Sequence, residues 1–270
     1  LGSQLLQLTG NPGNVLVELM SRLGTSTLVC EEIAAPYEQA DIHVLQEHEM
    51  DVHTIWQSTL MAPSQLPFEP KAVPDTFSSF RRLVERQTFA PTQPVATVTR
   101  LPAAPDLSSF NFDLDLKRAT NHTAILNDPR SAFPWFHPDF HGGERAALAH
   151  LAQYCRRFLP HSYKATRNGL YGAEYSTKWS PWLATGALSA RQAWEAIRTF
   201  ETQHGANEST YWIGFELLWR DHFRWLHLKY GSRMFWQSGL SDEPMPQYTH
   251  NARSFDRWRT GQTGHALIDA

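Results

Sequence analysis

The spacing of apolar positions changes character twice along the chain. Leu5–Thr9 is a short apolar run closed by the turn Gly10-Asn11-Pro12-Gly13, and it reads as a buried strand. From Asn14 to Leu23 the apolar residues Val15, Leu16, Leu19, Met20 and Leu23 form one helical face, with Gly24 as a C-cap candidate. Ser26–Cys30 predicts a second strand, Pro36–Glu47 a polar helix and Val52–Trp56 a third strand. Strands alternating with helices over short connections predict right-handed crossovers and a parallel sheet. The first strand has no element before it to pair with. The expectation is therefore a truncated, doubly wound parallel α/β domain over residues 1–62. No Gly-x-Gly-x-x-Gly follows a strand, which argues against the usual dinucleotide site there.

Residues 63–141 are rich in Pro and polar turns and read as a long interdomain linker. It carries one helix, Thr76–Gln87, with Phe77, Phe80, Leu83 and Val84 on one face. Residues 142–270 read as all-helical. One helix opens at Gly143-Glu144-Arg145 and runs through Phe158. A short one spans Pro181–Thr185 and ends near Gly186. Ser189 caps a helix that runs through Gln203, and Asn207 caps the longest, through Lys229.

Composition narrows the class. Hydrophobic residues make up 41% and charged residues 19% of the 270, so a globular chain is expected rather than disorder. Ten Trp and fifteen Phe are many for this length. Such residues fill a helical core, or they build flavin, base-stacking and electron-transfer sites. The two cysteines, Cys30 and Cys155, are too few and too distant for a thiolate metal site or a disulfide framework. They suit a reducing, cytoplasmic compartment. No apolar run approaches the ~18 residues of a membrane helix. Leu1-Gly2-Ser3-Gln4 has no signal-peptide pattern and no initiator Met, so a missing N-terminus is expected.

Charge is uneven. Residues 1–150 carry 10 Lys and Arg against 17 Asp and Glu, a net −7, whereas residues 151–270 carry 14 against 10, a net +4. A basic half favours phosphate-bearing partners, or is simply a solvated surface.

Three segments concentrate chemistry: Tyr163-Lys164-Ala165-Thr166-Arg167-Asn168-Gly169, Tyr175-Ser176-Thr177-Lys178-Trp179-Ser180-Pro181-Trp182-Leu183, and Asn207–Asp221. In the second, Ser176, Thr177 and Ser180 offer hydroxyls and Lys178 a cation, and Pro181 suits a first helical turn. Hydroxyls, an ammonium and free N–H groups at a helix start make an anion site that a pyrophosphate would fit. Plain capping explains the same residues. In the third, Trp212, Phe215, Trp219, Phe223 and Leu226 form an apolar stripe. Glu216 and Arg220 stand at i, i+4, a spacing that usually means a surface pair of ~0.3–0.5 kcal/mol. Here aromatics flank both. Charges buried among aromatics need a partner or a ligand, and an Arg beside Trp suits a planar, electron-rich one.

These motifs, in this order and at these spacings, resemble the cryptochrome-DASH branch of the cryptochrome/photolyase family. Trp56-Gln57-Ser58-Thr59-Leu60, Leu66-Pro67-Phe68, Pro74-Asp75-Thr76-Phe77, Asp128–Pro134, His141-Gly142-Gly143-Glu144 and Gly261-Gln262-Thr263-Gly264 are similar to further family segments. The resemblance implies an N-terminal α/β domain, a long loop and a helical domain that holds FAD in a U-shape. It implies 5,10-methenyltetrahydrofolate as an antenna in many members. It also implies light-driven electron transfer from reduced flavin that splits cyclobutane pyrimidine dimers, in the DASH branch in single-stranded DNA. The alternative within the family is a blue-light receptor without repair activity. A monomer is expected.

By the same resemblance, Tyr163, Ser176, Thr177, Lys178, Trp179 and Ser180 hold the phosphate and ribityl region of FAD. Arg220 lies against the flavin, and Ile213 occupies a flavin-contact position that is aromatic in some relatives. Glu216, which also contacts the cofactor, and Trp219 face the lesion as the catalytic pair, and Arg167 and Arg224 contact DNA phosphates. The family's opposite flavin wall and its Trp electron chain are expected outside these 270 residues. The chain is therefore expected to hold about half a flavin pocket and to retain FAD weakly. The run Trp135–Phe140 departs from the family at the linker end.

Overall fold

The structure is a computed structural model that describes residues 3, 6, 8, 10–87, 89–105, 140–169, 172–241 and 249–269. Helix α1, Pro12–Leu23, starts where the Asn11 side chain accepts the Asn14 N–H at 3.1 Å. It ends at Gly24, whose φ of 64° places it in the left-handed region that a glycine tolerates. Strand β1, Thr27–Glu31, pairs in parallel with β2, Asp51–Ile55, in a register running from Thr27↔Asp51 to Glu31↔Ile55. Helix α2, Pro36–Glu47, is the crossover between them. The strand expected at Leu5–Thr9 lies outside the described residues, save Leu6 and Leu8. Asp128–Pro134 and Trp135–Asp139 also lie outside them.

Helix α3, Phe77–Arg86, buries Phe77, Phe80 and Val84. Leu83, expected on the same face, is 39% exposed. The helical region then comprises α4 (Glu144–Arg156), α5 (Tyr163–Thr166), α6 (Ser180–Thr185), α7 (Ala190–His204) and α8 (Glu208–Tyr230). Helix α4 stops short of Phe158, which takes a left-handed φ of 55°. Side-chain caps start α7 and α8. Ser189 and Gln192 exchange bonds of 3.0 and 2.9 Å, and Asn207 accepts the Thr210 N–H at 3.0 Å.

Helix α8 organises the packing. Ile213 and Leu217 join a buried cluster with Leu151, Tyr154, Tyr163, Trp179 and Trp182. Gly214 lets α7 approach, because a Cβ there would lie 2.5 Å from the Trp194 ring. The expected apolar stripe divides between different neighbours. Trp219 stacks on Phe77 of α3 with ring centroids 3.8 Å apart, Trp212 lies under Arg167, and Phe223 is exposed. Trp225, on another side, stacks on Trp56 at 4.8 Å.

The segment after β2 is tied to these helices by a buried polar clasp. Trp56 Nε1 donates to Thr59 Oγ1 (2.7 Å), Arg191 Nε to the Thr59 carbonyl (2.9 Å), Arg220 to the Ser58 carbonyl (2.5 Å) and the Leu60 N–H to Asp221 Oδ2 (2.7 Å). Asp221 is fully buried, and burial pushes its carboxyl up to about 7 despite the nearby arginines. The unfolded carboxyl titrates near ~3.9. Below that pH both states hold the proton. Between about 4 and about 7 only the folded state does, so Asp221 contributes stability that is lost as pH rises through this window. Asp221→Asn keeps an acceptor for Leu60 and removes the titration. The stability difference between wild type and variant should drift by up to about 4 kcal/mol across the window, at ~1.4 kcal/mol per pH unit. Parallel denaturation-midpoint curves against pH would disprove this assignment.

Residues 1–231 form one compact unit and residues 232–270 a second. Within the second, α9 (Ala252–Arg259) is capped by Asn251, and α10 (Ala266–Asp269) follows. The Asp269 carboxylate accepts the Thr263 and Gly264 N–H groups, both at 2.8 Å. Among the described residues, no helix is long and apolar enough to cross a membrane, and no cluster of His, Cys, Asp and Glu could hold a metal ion.

Candidate functional site

A cleft of about 400 Å³ opens between α6 and α8 and gathers most of the residues singled out in the sequence. Tyr163, Thr177, Trp179, Ser180, Ile213, Glu216, Arg220 and Arg224 line it, with Leu183, Ala184 and Leu217 supplying apolar wall. A larger groove of about 480 Å³ runs between α4 and α7, but none of the motif residues reaches it.

Each lining group has a distinct environment. Trp179 is 2% exposed, and its indole N–H has no partner among the described residues. A buried donor without an acceptor is costly. Burial, with Glu216 nearby, pushes the Tyr163 hydroxyl up to about 12, so it stays a donor at neutral pH. Arg220 is three-quarters or more withdrawn from solvent, at 22% side-chain exposure, and donates to the Ser58 and Leu183 carbonyls. Burial and the neighbouring Arg224 lower its pKa, while Asp221, 3.6 Å away, offsets them. A guanidinium remains charged under these conditions.

Glu216 and Arg220, although spaced i, i+4, do not pair with each other. Arg220 turns to backbone carbonyls and buried Asp221, and Glu216 instead binds Arg167, 49 positions earlier. The Arg167 guanidinium also lies 4.4 Å from the Trp212 ring centroid. Arg167 therefore stands at Glu216 rather than as a free surface charge.

Four expected site residues are not on the cleft wall, Arg167 at Glu216 among them. Ser176 and Lys178 belong to the same loop as Thr177 but do not line it. Trp219 is directed to Phe77 and Phe223, because three residues turn a helix by about 300° and so carry it about 60° round from Glu216. The anion site expected at the start of α6 also changes. That helix has only six residues, so the cradle rests on loop groups more than on a helix dipole.

Sequence reasoning missed Leu183, Ala184 and Leu217, although their spacing from Ser180 and Ile213 would have placed them on the same faces. It also missed Asp221 behind Arg220, a carboxylate embedded in an apolar helix run. The arrangement offers hydroxyl and indole donors, a guanidinium and an apolar wall, which together suit an anionic ligand carrying a planar ring. The cleft is smaller than a whole FAD, so these residues would hold part of it.

Comparisons with known proteins agree on the kinship. Residues 1–100 match the DNA photolyase family model. The whole chain is 39% identical to cryptochrome DASH of Danio rerio, covering 52% of that protein, and 38% identical to cryptochrome DASH of Gloeobacter violaceus, covering 53%. The crystal structure of a Synechocystis sp. cryptochrome superposes on 99% of the chain with a TM-score of 0.79 at 32% identity, over 55% of its own length. A class III photolyase from Agrobacterium tumefaciens shares the fold, with a TM-score of 0.64 at 20% identity. The chain spans about half the length of the curated relatives it matches. With a parallel α/β element leading into this helical cleft and cryptochrome DASH relatives similar along its entire length, the chain belongs to the cryptochrome/photolyase family.

Proposed function

We propose that this chain supplies one wall of an FAD site in a blue-light-driven enzyme that splits cyclobutane pyrimidine dimers, preferentially in single-stranded DNA. The observation that carries the reading is the cleft itself, which joins Trp179, Arg220, Thr177 and Ser180 over an apolar wall. Kinship with a family that generally binds FAD supports it.

Bound reduced FAD would supply the light-excited electron. Thr177, Ser180, Trp179 and Tyr163 hold phosphate and ribityl oxygens by hydrogen bonds, and Arg220 balances their charge. Ile213 and Leu217 exclude water from the ring. Glu216, at the rim, offers its carboxyl to the pyrimidine carbonyl and imide groups, and Arg167 steadies that carboxyl and answers the negative charge on the bases. Arg224 lies on the same wall and meets the DNA backbone. Trp219 sits outside the cleft lining, so its contribution is to hold Phe77 and α3 against α8. Unpaired DNA is the preferred substrate because extruding a base costs least where no partner is lost.

The test is blue-light repair of a dimer-containing oligonucleotide by the complete protein. Repair should be faster on the single strand than on the duplex. A protein with reduced flavin bound that repairs neither would be a receptor rather than a lyase.

A further inference from the structure

His150 lies outside the cleft and outside every motif described above. It projects from α4 between Phe140 and Trp182, with ring centroids 5.0 Å from each, and its Nε2 makes a 2.9 Å hydrogen bond to the Thr177 carbonyl. A carbonyl only accepts, so Nε2 is the protonated nitrogen. The next residue, Lys178, has a φ of 56°, a left-handed backbone that residues with side chains disfavour. Such a conformation persists only where its surroundings enforce it. Among the described residues, no peptide bond is cis. Across a planar trans peptide the C=O and the following N–H point in opposite directions. Fixing the Thr177 oxygen on His150 therefore turns the Lys178 N–H away from α4. Among the described residues, that N–H makes no hydrogen bond.

We infer that His150 is a positioning residue for the anion cradle. It locks the Thr177–Lys178 peptide and with it Thr177, whose side chain stands beside Ser180 on the cleft wall as a donor to a pyrophosphate-bearing ligand. This deepens the flavin reading of the cleft and rests on it for the ligand. Lys178 stays off the cleft wall, and its left-handed backbone marks the constraint that His150 sets.

Two variants separate position from packing. His150→Phe keeps an aromatic ring between Phe140 and Trp182 and removes the donor. His150→Gln restores a donor without the ring. In the unliganded chain, the Lys178 Cα and Cβ chemical shifts report its backbone conformation. They should leave their left-handed values in His150→Phe and return towards them in His150→Gln. Shifts unchanged in His150→Phe would overturn the inference whether or not flavin binds. In titrations, His150→Phe should weaken FAD binding about tenfold, leave riboflavin binding unchanged, and be largely rescued in His150→Gln. Equal loss of FAD and riboflavin would also overturn it, since that marks general damage to the cleft. A complete wild-type protein that binds neither FAD nor riboflavin would sink the flavin reading. The Lys178 shifts would then decide the role of His150 alone.

Discussion

Glu216→Ala is expected to cut the quantum yield of dimer splitting several-fold while leaving FAD affinity within about twofold. A hydrogen bond to a charged group is worth ~1.5–3 kcal/mol. Losing it from the reduced pyrimidine pair slows splitting by about tenfold or more, and the electron then returns to flavin before the bond breaks. Folding should hardly change. The Arg167–Glu216 pair is about a third exposed, and pairs of that kind stabilise by less than ~1 kcal/mol. Actinic titration of dimer loss against photons absorbed, beside an FAD titration, checks both halves. An unchanged yield removes Glu216 from the lesion. A lost flavin moves it into the cofactor site.

Arg220→Met should be the most damaging single change in the cleft. It leaves the Ser58 and Leu183 carbonyls unpartnered and Asp221 buried without its guanidinium. Above about pH 7, where the Asp221 carboxyl is ionised, breaking a buried pair in this way costs roughly 3–5 kcal/mol. FAD affinity should fall by about tenfold to a hundredfold from the lost charged contact. Adding Asp221→Asn should restore much of the stability, because the stranded carboxylate is gone, but none of the affinity. That split separates a structural arginine from one that also meets the ligand. If the double variant recovered both, Arg220 would be part of the clasp only.

Much of the architecture could be read from residue patterns because it is locally encoded. Asn207, Ser189 and Gly24 are capping residues whose chemistry acts within one turn, and α1, α7 and α8 lie close to where those signals and the apolar period put them. The site was legible only in part. Thr177, Ser180, Tyr163, Ile213, Glu216 and Arg220 meet on one cleft, as motif resemblance implied. Their partners were not legible, because each is chosen by tertiary approach. Arg167 reaches Glu216 across 49 positions, His150 reaches Thr177 across 27, and Asp221 reaches Leu60 across 161. Trp219 shows the opposite failure. Resemblance implied that it faces the lesion beside Glu216, but it stacks on the Phe77 ring, off the cleft wall.

The most direct test of the central claim, that the cleft between α6 and α8 holds FAD, is an equilibrium FAD titration of the complete protein beside its Arg220→Met/Asp221→Asn variant. The wild type should bind one FAD per chain, and the variant should bind about a hundredfold more weakly at a similar melting temperature. A variant that holds FAD as tightly as the wild type, or a wild type that binds none, would contradict the account.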